Sequence, residues 1–118
     1  MGQQSHEKYQ LISKKQNELM IALQDEIAEK LKVKSEERNI KIEDISSLRY
    51  EVYKSTLDAE ENIKRTISRV ASQLHPFIIE RETSEKWSAM EREIEEELTF
   101  KYAEPLRETV SEYNKIEW

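Results

Sequence analysis

Apolar residues recur at steps of three and four along the first third of the chain, which is the spacing of one face of an α-helix. This stripe predicts a first helix over residues 5–34. Its members are Tyr9, Ile12, Leu19, Met20, Leu23, Ile27 and Leu31, with the polar Gln16 among them.

A second stripe repeats at steps of three, four and four and predicts a helix over residues 44–74. It consists of Ile45, Leu48, Val52, Thr56, Ala59, Ile63, Ile67, Val70 and Leu74. The eleven-residue period gives about 3.67 residues per turn, which favours a nearly straight, coiled-coil-like pairing with neighbouring helices. Asp44 or Ser46 is a suitable cap for its start. Pro76 ends the helix, because proline lacks an N–H group and disfavours helix in the residue before it.

A third stripe predicts a helix over residues 77–103 or 84–103 and a further helical segment over residues 105–117. Its members are Trp87, Met90, Ile94, Leu98, Tyr102, Leu106, Val110 and Tyr113. The earlier start applies if Pro76 begins the helix, and the later one if Thr83 or Ser84 caps it. Because Pro105 lies inside the pattern, we expect a kink or a break there, followed by a short helical segment.

The connection between the first two stripes, residues 31–42, allows two interpretations. Leu31 and Val33, and then Ile40 and Ile42, alternate with polar residues as strands do, so a small hairpin is one of them. An isolated two-stranded hairpin is only marginally stable in water. We therefore expect an irregular connection whose isoleucines close one end of the helical core.

Composition supports an all-α fold. The 118 residues fit one helical domain over residues 1–118. One Gly and two Pro cannot supply the many turns of an all-β fold. We expect an elongated bundle of three long helices, with a short or kinked C-terminal segment and coiled-coil-like packing.

Glutamates stand four residues before a base at six places, a spacing that stabilises isolated helices by roughly 0.2–0.5 kcal/mol per pair. The pairs are Glu26–Lys30, Glu37–Lys41, Glu60–Lys64, Glu61–Arg65, Glu82–Lys86 and Glu97–Lys101. We expect these local pairs to support their helices.

The residues that common catalytic sites require are scarce. No Cys is present, which excludes thiolate metal sites and cysteine nucleophiles, and a single Gly excludes phosphate-binding loops. Neither His6 nor His75 has a carboxylate three or four residues away, the spacing that places two ligands on one helical face. We therefore expect no enzyme activity and no catalytic, cofactor-binding or metal site.

The chain carries 25 acidic and 19 basic residues, and the resulting net charge of −6 falls entirely within residues 80–118. A broad basic face is absent, so we expect no direct binding to nucleic acid. The longest apolar run, residues 19–23, is far shorter than the ~20 residues of a spanning helix. We expect no membrane contact and a cytoplasmic location.

Surplus apolar residues indicate a surface for another protein. Tyr50, Tyr53 and Leu57 form a ridge off the seam of the second helix, and Phe77 and Ile78 follow Pro76. A ridge of this kind is either a second internal face of the middle helix or a contact with a partner or a second copy. We expect a non-enzymatic helical interaction module, namely an adaptor, a small chaperone or an inhibitor, and a homodimer.

An acidic run offers an alternative function. Glu93, Glu96 and Glu97 lie in the segment 91–97, where ordered carboxylates would imitate the phosphates of nucleic acid. The chain would then be an acidic inhibitor that competes for a nucleic-acid-binding host protein. The simpler explanation is a solvated helix face, because Glu is a strong helix former.

Overall fold

Three long helices account for most of the chain in the computed structural model, which describes residues 2–42, 44–50, 58–75 and 80–116. Helix α1 spans Gly2–Glu37, α2 spans Ala59–Leu74 and α3 spans Arg81–Asn114, with a short 3₁₀ turn at Ile45–Ser47. The described ranges contain no strand, so the all-α prediction is confirmed.

The three helices share one apolar core, which the predicted stripes build. Most described members of the three stripes are buried, Leu19 is partly buried beside the core, and Ile40, Ile42, Ile45 and Leu48 pack against its edge. The largest fully buried side chains are Met20, Leu23, Ile27, Leu31, Ile63, Leu74, Met90, Ile94, Leu98 and Leu106.

Helix α3 runs antiparallel to α1 along a row of charged contacts. Lys15 near the start of α1 lies 3.8 Å from Glu112 near the end of α3. At the other end, Arg38 lies 2.7 Å from Glu93. The principal extents of 57, 25 and 18 Å match this arrangement, since a helix of 36 residues is about 54 Å long.

Helices α1 and α2 run parallel, as two contacts between them show. Asn62 of α2 contacts the Met20 sulfur of α1. Further along both helices, Arg69 of α2 donates a 2.9 Å hydrogen bond to Gln24 of α1. The segment 44–50 is held on α2, where Gln73 and the Arg49 backbone exchange two hydrogen bonds of 2.8 and 3.0 Å.

Helix α1 ends in a left-handed cap instead of a hairpin. Asn39 has a φ of 56°, a conformation that Asn tolerates better than most residues. The Ile40 N–H donates to the Ser35 carbonyl at 2.9 Å, and the Asn39 N–H donates to the Glu36 carbonyl at 3.3 Å. This is the Schellman pattern. The hairpin interpretation is therefore wrong, and the irregular connection with its inward-facing isoleucines is confirmed.

The second helix is predicted to begin at residue 44, but it begins at Ala59 in the structure. Asp44 caps the 3₁₀ turn and not a long helix, and residues 48–50 are not helical. Helix α2 begins only at Ala59, where the Asp58 carboxylate accepts a hydrogen bond from the Glu60 N–H. The error has a physical reason, because a 3₁₀ turn also places residues three apart on one side. Ile45 and Leu48 thus reach the core without an α-helix.

Of the two alternatives expected at Pro105, the break is wrong, because α3 continues through it to Asn114, while the kink stays a prediction. Proline deprives the Lys101 carbonyl of its helical donor. Burial of Tyr102 and Leu106 on either side holds the helix together at this point. Its start at Arg81 precedes the predicted caps, and Pro76 lies outside the described residues.

None of the helices in the described ranges combines the length and the apolar character needed to cross a bilayer.

Candidate partner-binding surface

Two carboxylates of the predicted acidic face are bound to α1. The Arg38 guanidinium donates two hydrogen bonds of 2.8 and 2.7 Å to Glu93. Lys34 lies between Glu93 and Glu97, 3.4 and 3.3 Å from their oxygens, and Lys30 donates to Glu97 at 2.8 Å. The bonds from Lys30 and Lys34 outweigh burial and hold the pKa of Glu97 below its ordinary value. These two carboxylates join helices and do not form an open acidic surface.

The row of contacts continues at Glu26 of α1. Lys101 of α3 donates to its carboxylate, and the Tyr102 hydroxyl donates to the same oxygen at 2.6 Å. Burial raises the pKa of Glu26, but the hydrogen bonds from Lys101 and Tyr102 outweigh that effect and bring the pKa below its ordinary value. Burial, together with the bond to Glu26, raises the pKa of the Tyr102 hydroxyl. We call the contacts of Glu26, Glu93 and Glu97 the interhelical ladder.

Three glutamates that were expected to pair within their own helix reach bases on another helix. They are Glu26, Glu60 and Glu97. Two of the predicted local pairs are present, with distances of 3.4 Å for Glu61–Arg65 and 3.3 Å for Lys86–Glu82. Helical spacing alone does not distinguish these cases, because a glutamate within reach of both a local and a distant base serves either.

Phe100 is the most exposed large apolar side chain of the described residues, at 95%. It lines a groove of about 740 Å³ on the outer side of α3, which is shared with the start of α2. The other lining residues are Glu60, Arg92, Glu95, Glu96, Thr99, Ala103, Glu104 and Arg107. Charged side chains form the rim around the exposed ring.

The groove has an ordered centre. Glu96, Phe100, Ala103 and Arg107 follow one another at steps of four, three and four and therefore share one face of α3. This face lies opposite the core stripe, since Phe100 is about 200° from Leu98 around the helix. We call these four residues the outer seam.

Two contacts fix the outer seam against the rest of the molecule. Ala103 is only 7% exposed and packs with the core. Its short side chain forms a shallow depression beside the phenyl ring of Phe100. Arg107 donates a 2.7 Å hydrogen bond to Glu60 of α2. Both of those side chains are more than half exposed, so the bond tethers the guanidinium while leaving it open to solvent.

The structure places one member of the predicted tyrosine ridge. Tyr50 is 43% exposed and lies outside the helices, and its hydroxyl donates to the Asp25 carboxylate of α1. That bond, with burial, raises the pKa of Tyr50. Tyr50 thus lies against α1 and not on a helix. The other partner-binding candidates, Tyr53, Leu57, Phe77 and Ile78, lie outside the described residues.

The two histidines lie beside aromatic rings. His6 stacks on Tyr9 with 6.5 Å between ring centroids, and His75 meets Trp87 edge-on at 5.2 Å. Glu91 lies close to His75 and Trp87. Burial raises the pKa of Glu91, while the charge of His75 and the nearby Trp87 side chain partly offset that rise. Within the described ranges, no three His, Asp or Glu residues lie close enough together to hold a metal ion.

Sequence reasoning missed Phe100 because the residue belongs to no apolar stripe. The signal available was an aromatic residue opposite the core stripe, with a glutamate four residues before it and another four residues after it. Single exposed apolar residues are common on soluble proteins, so that signal is weak in a sequence. Leu11 and Ile21, which also lie off the stripe of their helix, are exposed as well.

Comparison of the chain with known protein families, with curated proteins and with solved structures finds no match. Its function is therefore inferred from its own residues. Among these, the groove at Phe100 is the surface feature that most clearly lacks a role in the fold.

Proposed function

We propose that the chain is a non-enzymatic helical interaction module, an adaptor, small chaperone or inhibitor that acts by surface contact. The observation that carries this proposal is the 95% exposure of Phe100 in a groove with a charged rim. Binding hot spots combine a central aromatic anchor with polar groups around it. Full burial of a Phe side chain contributes about 1.5–3 kcal/mol, so a partner that covers the ring gains a substantial part of its affinity there.

The charged rim of the groove would determine the orientation of a bound partner, which the apolar ring alone does not. Hydrophobic burial has no direction, whereas carboxylates and guanidinium groups fix the register and orientation of a partner. Both kinds of charge border the groove, with Arg92 and Arg107 among the glutamates. A partner with matching charges would thus be selected over one that is merely apolar.

The proposal includes an elongated bundle with coiled-coil-like packing, a homodimer and a cytoplasmic location. We favour the module over the acidic phosphate mimic, because Glu93 and Glu97 are occupied by bases of α1. Of the predicted acidic face, Glu96 lines the groove beside Phe100 and belongs to the surface proposed here.

The test uses Phe100→Asp as bait in affinity capture from a lysate of the source cells, followed by mass spectrometry. Leu11→Asp is the matched control, since Leu11 is 63% exposed on a different helix. We expect the wild type and the control to retain the same proteins and Phe100→Asp to lose them. Both variants should unfold within about 0.5 kcal/mol of the wild type, as exposed substitutions do. Equal retention by all three baits would contradict the proposal.

A further inference from the structure

The outer seam has the spacing and the chemistry of a self-complementary helix face. Glu96, Phe100, Ala103 and Arg107 occupy alternating a and d positions of a heptad pattern along α3, with Ala103 at the edge where this face meets the core. A carboxylate stands at one end of this seam and a guanidinium at the other. The large ring and the small methyl group lie between them.

We propose that the partner of this surface is a second copy of the chain, whose α3 docks antiparallel along the outer seam. Glu96 then faces Arg107 of the second copy, and Phe100 faces its Ala103. Twofold symmetry repeats each of these contacts, so the interface has two charge pairs around two ring-to-methyl contacts. This inference rests on the proposed function and names the partner of that same site.

Charge sets the direction of the docking. In a parallel pair in register, Glu96 faces Glu96 and Arg107 faces Arg107, and like charges in an interface are unfavourable. In an antiparallel register that stacks Phe100 on Phe100, Glu96 lies opposite Glu104, which is again a contact between like charges. The register that pairs Glu96 with Arg107 avoids both of these like-charge contacts.

The groove accommodates these contacts without rearrangement. Its volume of about 740 Å³ is much larger than a phenyl ring, and the small side chain of Ala103 leaves room beside Phe100. Arg107 already holds Glu60, but a guanidinium has five N–H donors, so the same side chain is able to bind the second carboxylate. Its exposed position means that little desolvation precedes the new contact.

The test reverses the two charges separately and together. Glu96→Arg and Arg107→Glu each create like-charge contacts in their own dimers. When the two variants are mixed, one chain presents arginine at both positions and the other glutamate at both, so all pairs are again opposite. The double variant Glu96→Arg/Arg107→Glu likewise restores them. Glu108→Arg, on α3 but off the seam, is the control for a simple change of net charge.

Sedimentation velocity over a range of protein concentrations measures the result. We expect each single variant to self-associate at least tenfold more weakly than the wild type. The mixture, the double variant and the Glu108→Arg control should return to within a few fold of it. Circular dichroism melts of the same samples check that the helices remain folded.

The outcomes separate the two proposals. Single variants that associate as the wild type does, or a mixture and a double variant that both stay weak, overturn the antiparallel register. A wild type that is monomeric throughout, while Phe100→Asp still loses captured proteins, overturns self-docking and leaves the interaction module standing with a different protein as its partner. If Phe100→Asp changes neither capture nor sedimentation, both proposals fail.

Discussion

Asn39 shows how a single residue determines where the longest helix stops. Its φ of 56° allows the chain to reverse direction, and two backbone hydrogen bonds close the turn behind it. Asn and Gly enter this region at low cost, whereas a Cβ-branched residue is strongly disfavoured there. The side chain of Asn39 is exposed, so its identity is set by the backbone and not by packing.

Replacing Asn39 isolates this backbone effect. Asn39→Gly should leave the free energy of unfolding unchanged or slightly raised, because glycine adopts a positive φ freely. Asn39→Val should lower it by about 1–2 kcal/mol, the cost of a left-handed conformation for most residues. Urea unfolding followed by circular dichroism measures both values. Equal stability of the two variants would mean that residue 39 does not require a positive φ.

At the scale of elements, α3 is longer than its sequence signals suggest. A proline within a helix removes one hydrogen bond and crowds the preceding turn, and isolated helices break there. The core contacts of Tyr102 and Leu106 span Pro105 and hold the two parts in one helix. Tertiary packing therefore decides the continuity of this element against its local propensity.

Pro105→Ala should strengthen α3, since alanine restores the N–H donor to the Lys101 carbonyl. We expect the free energy of unfolding to rise by about 1–3 kcal/mol, part of the usual penalty of an internal proline. Chemical denaturation gives this value. A variant no more stable than the wild type would show that the surrounding residues have adapted to the proline.

Periodicity predicted the elements that bury one face continuously. Leu23, Ile63 and Ile94 are buried where their stripes place them. It failed at Ile45, because a 3₁₀ turn and an α-helix both bring residues three apart to one side. Periodicity also did not identify Phe100, because apolar periodicity marks the buried face of a helix and Phe100 lies on the exposed face. Binding sites of this kind are visible only once the core has been assigned to the other face.

At the scale of the whole molecule, the interhelical ladder joins the C-terminal third of α1 to the middle of α3. Its carboxylates carry lowered pKa values at Glu26 and Glu97, so the folded state favours their ionised forms. The unfolded chain therefore binds protons more readily than the folded one. The resulting stabilisation is present above the ordinary pKa of 4.5 and is lost as the pH falls through the lower folded values.

Glu97→Gln tests this dependence on pH. At pH 7 the variant should be less stable than the wild type, because Lys30 and Lys34 lose a charged partner. The difference should shrink as the pH falls through the lowered pKa of Glu97 in the folded state, since the wild-type carboxyl is then protonated as well. Thermal melts from pH 3 to pH 7 follow the change, with Glu108→Gln as the control outside the ladder. A difference that is constant over this range would exclude an electrostatic origin.

The sequence separation across the interhelical ladder also orders events on the ribosome. Its hydrogen-bonded partners are 55 to 76 residues apart, so α1 is synthesised well before the part of α3 that binds it. At translation rates of 5–20 residues per second, that interval lasts roughly 3–15 s. During this time the apolar stripe of α1 lacks its α3 cover and is accessible to chaperones that bind nascent chains. The emergence of α3 ends this exposure and commits the chain to its fold.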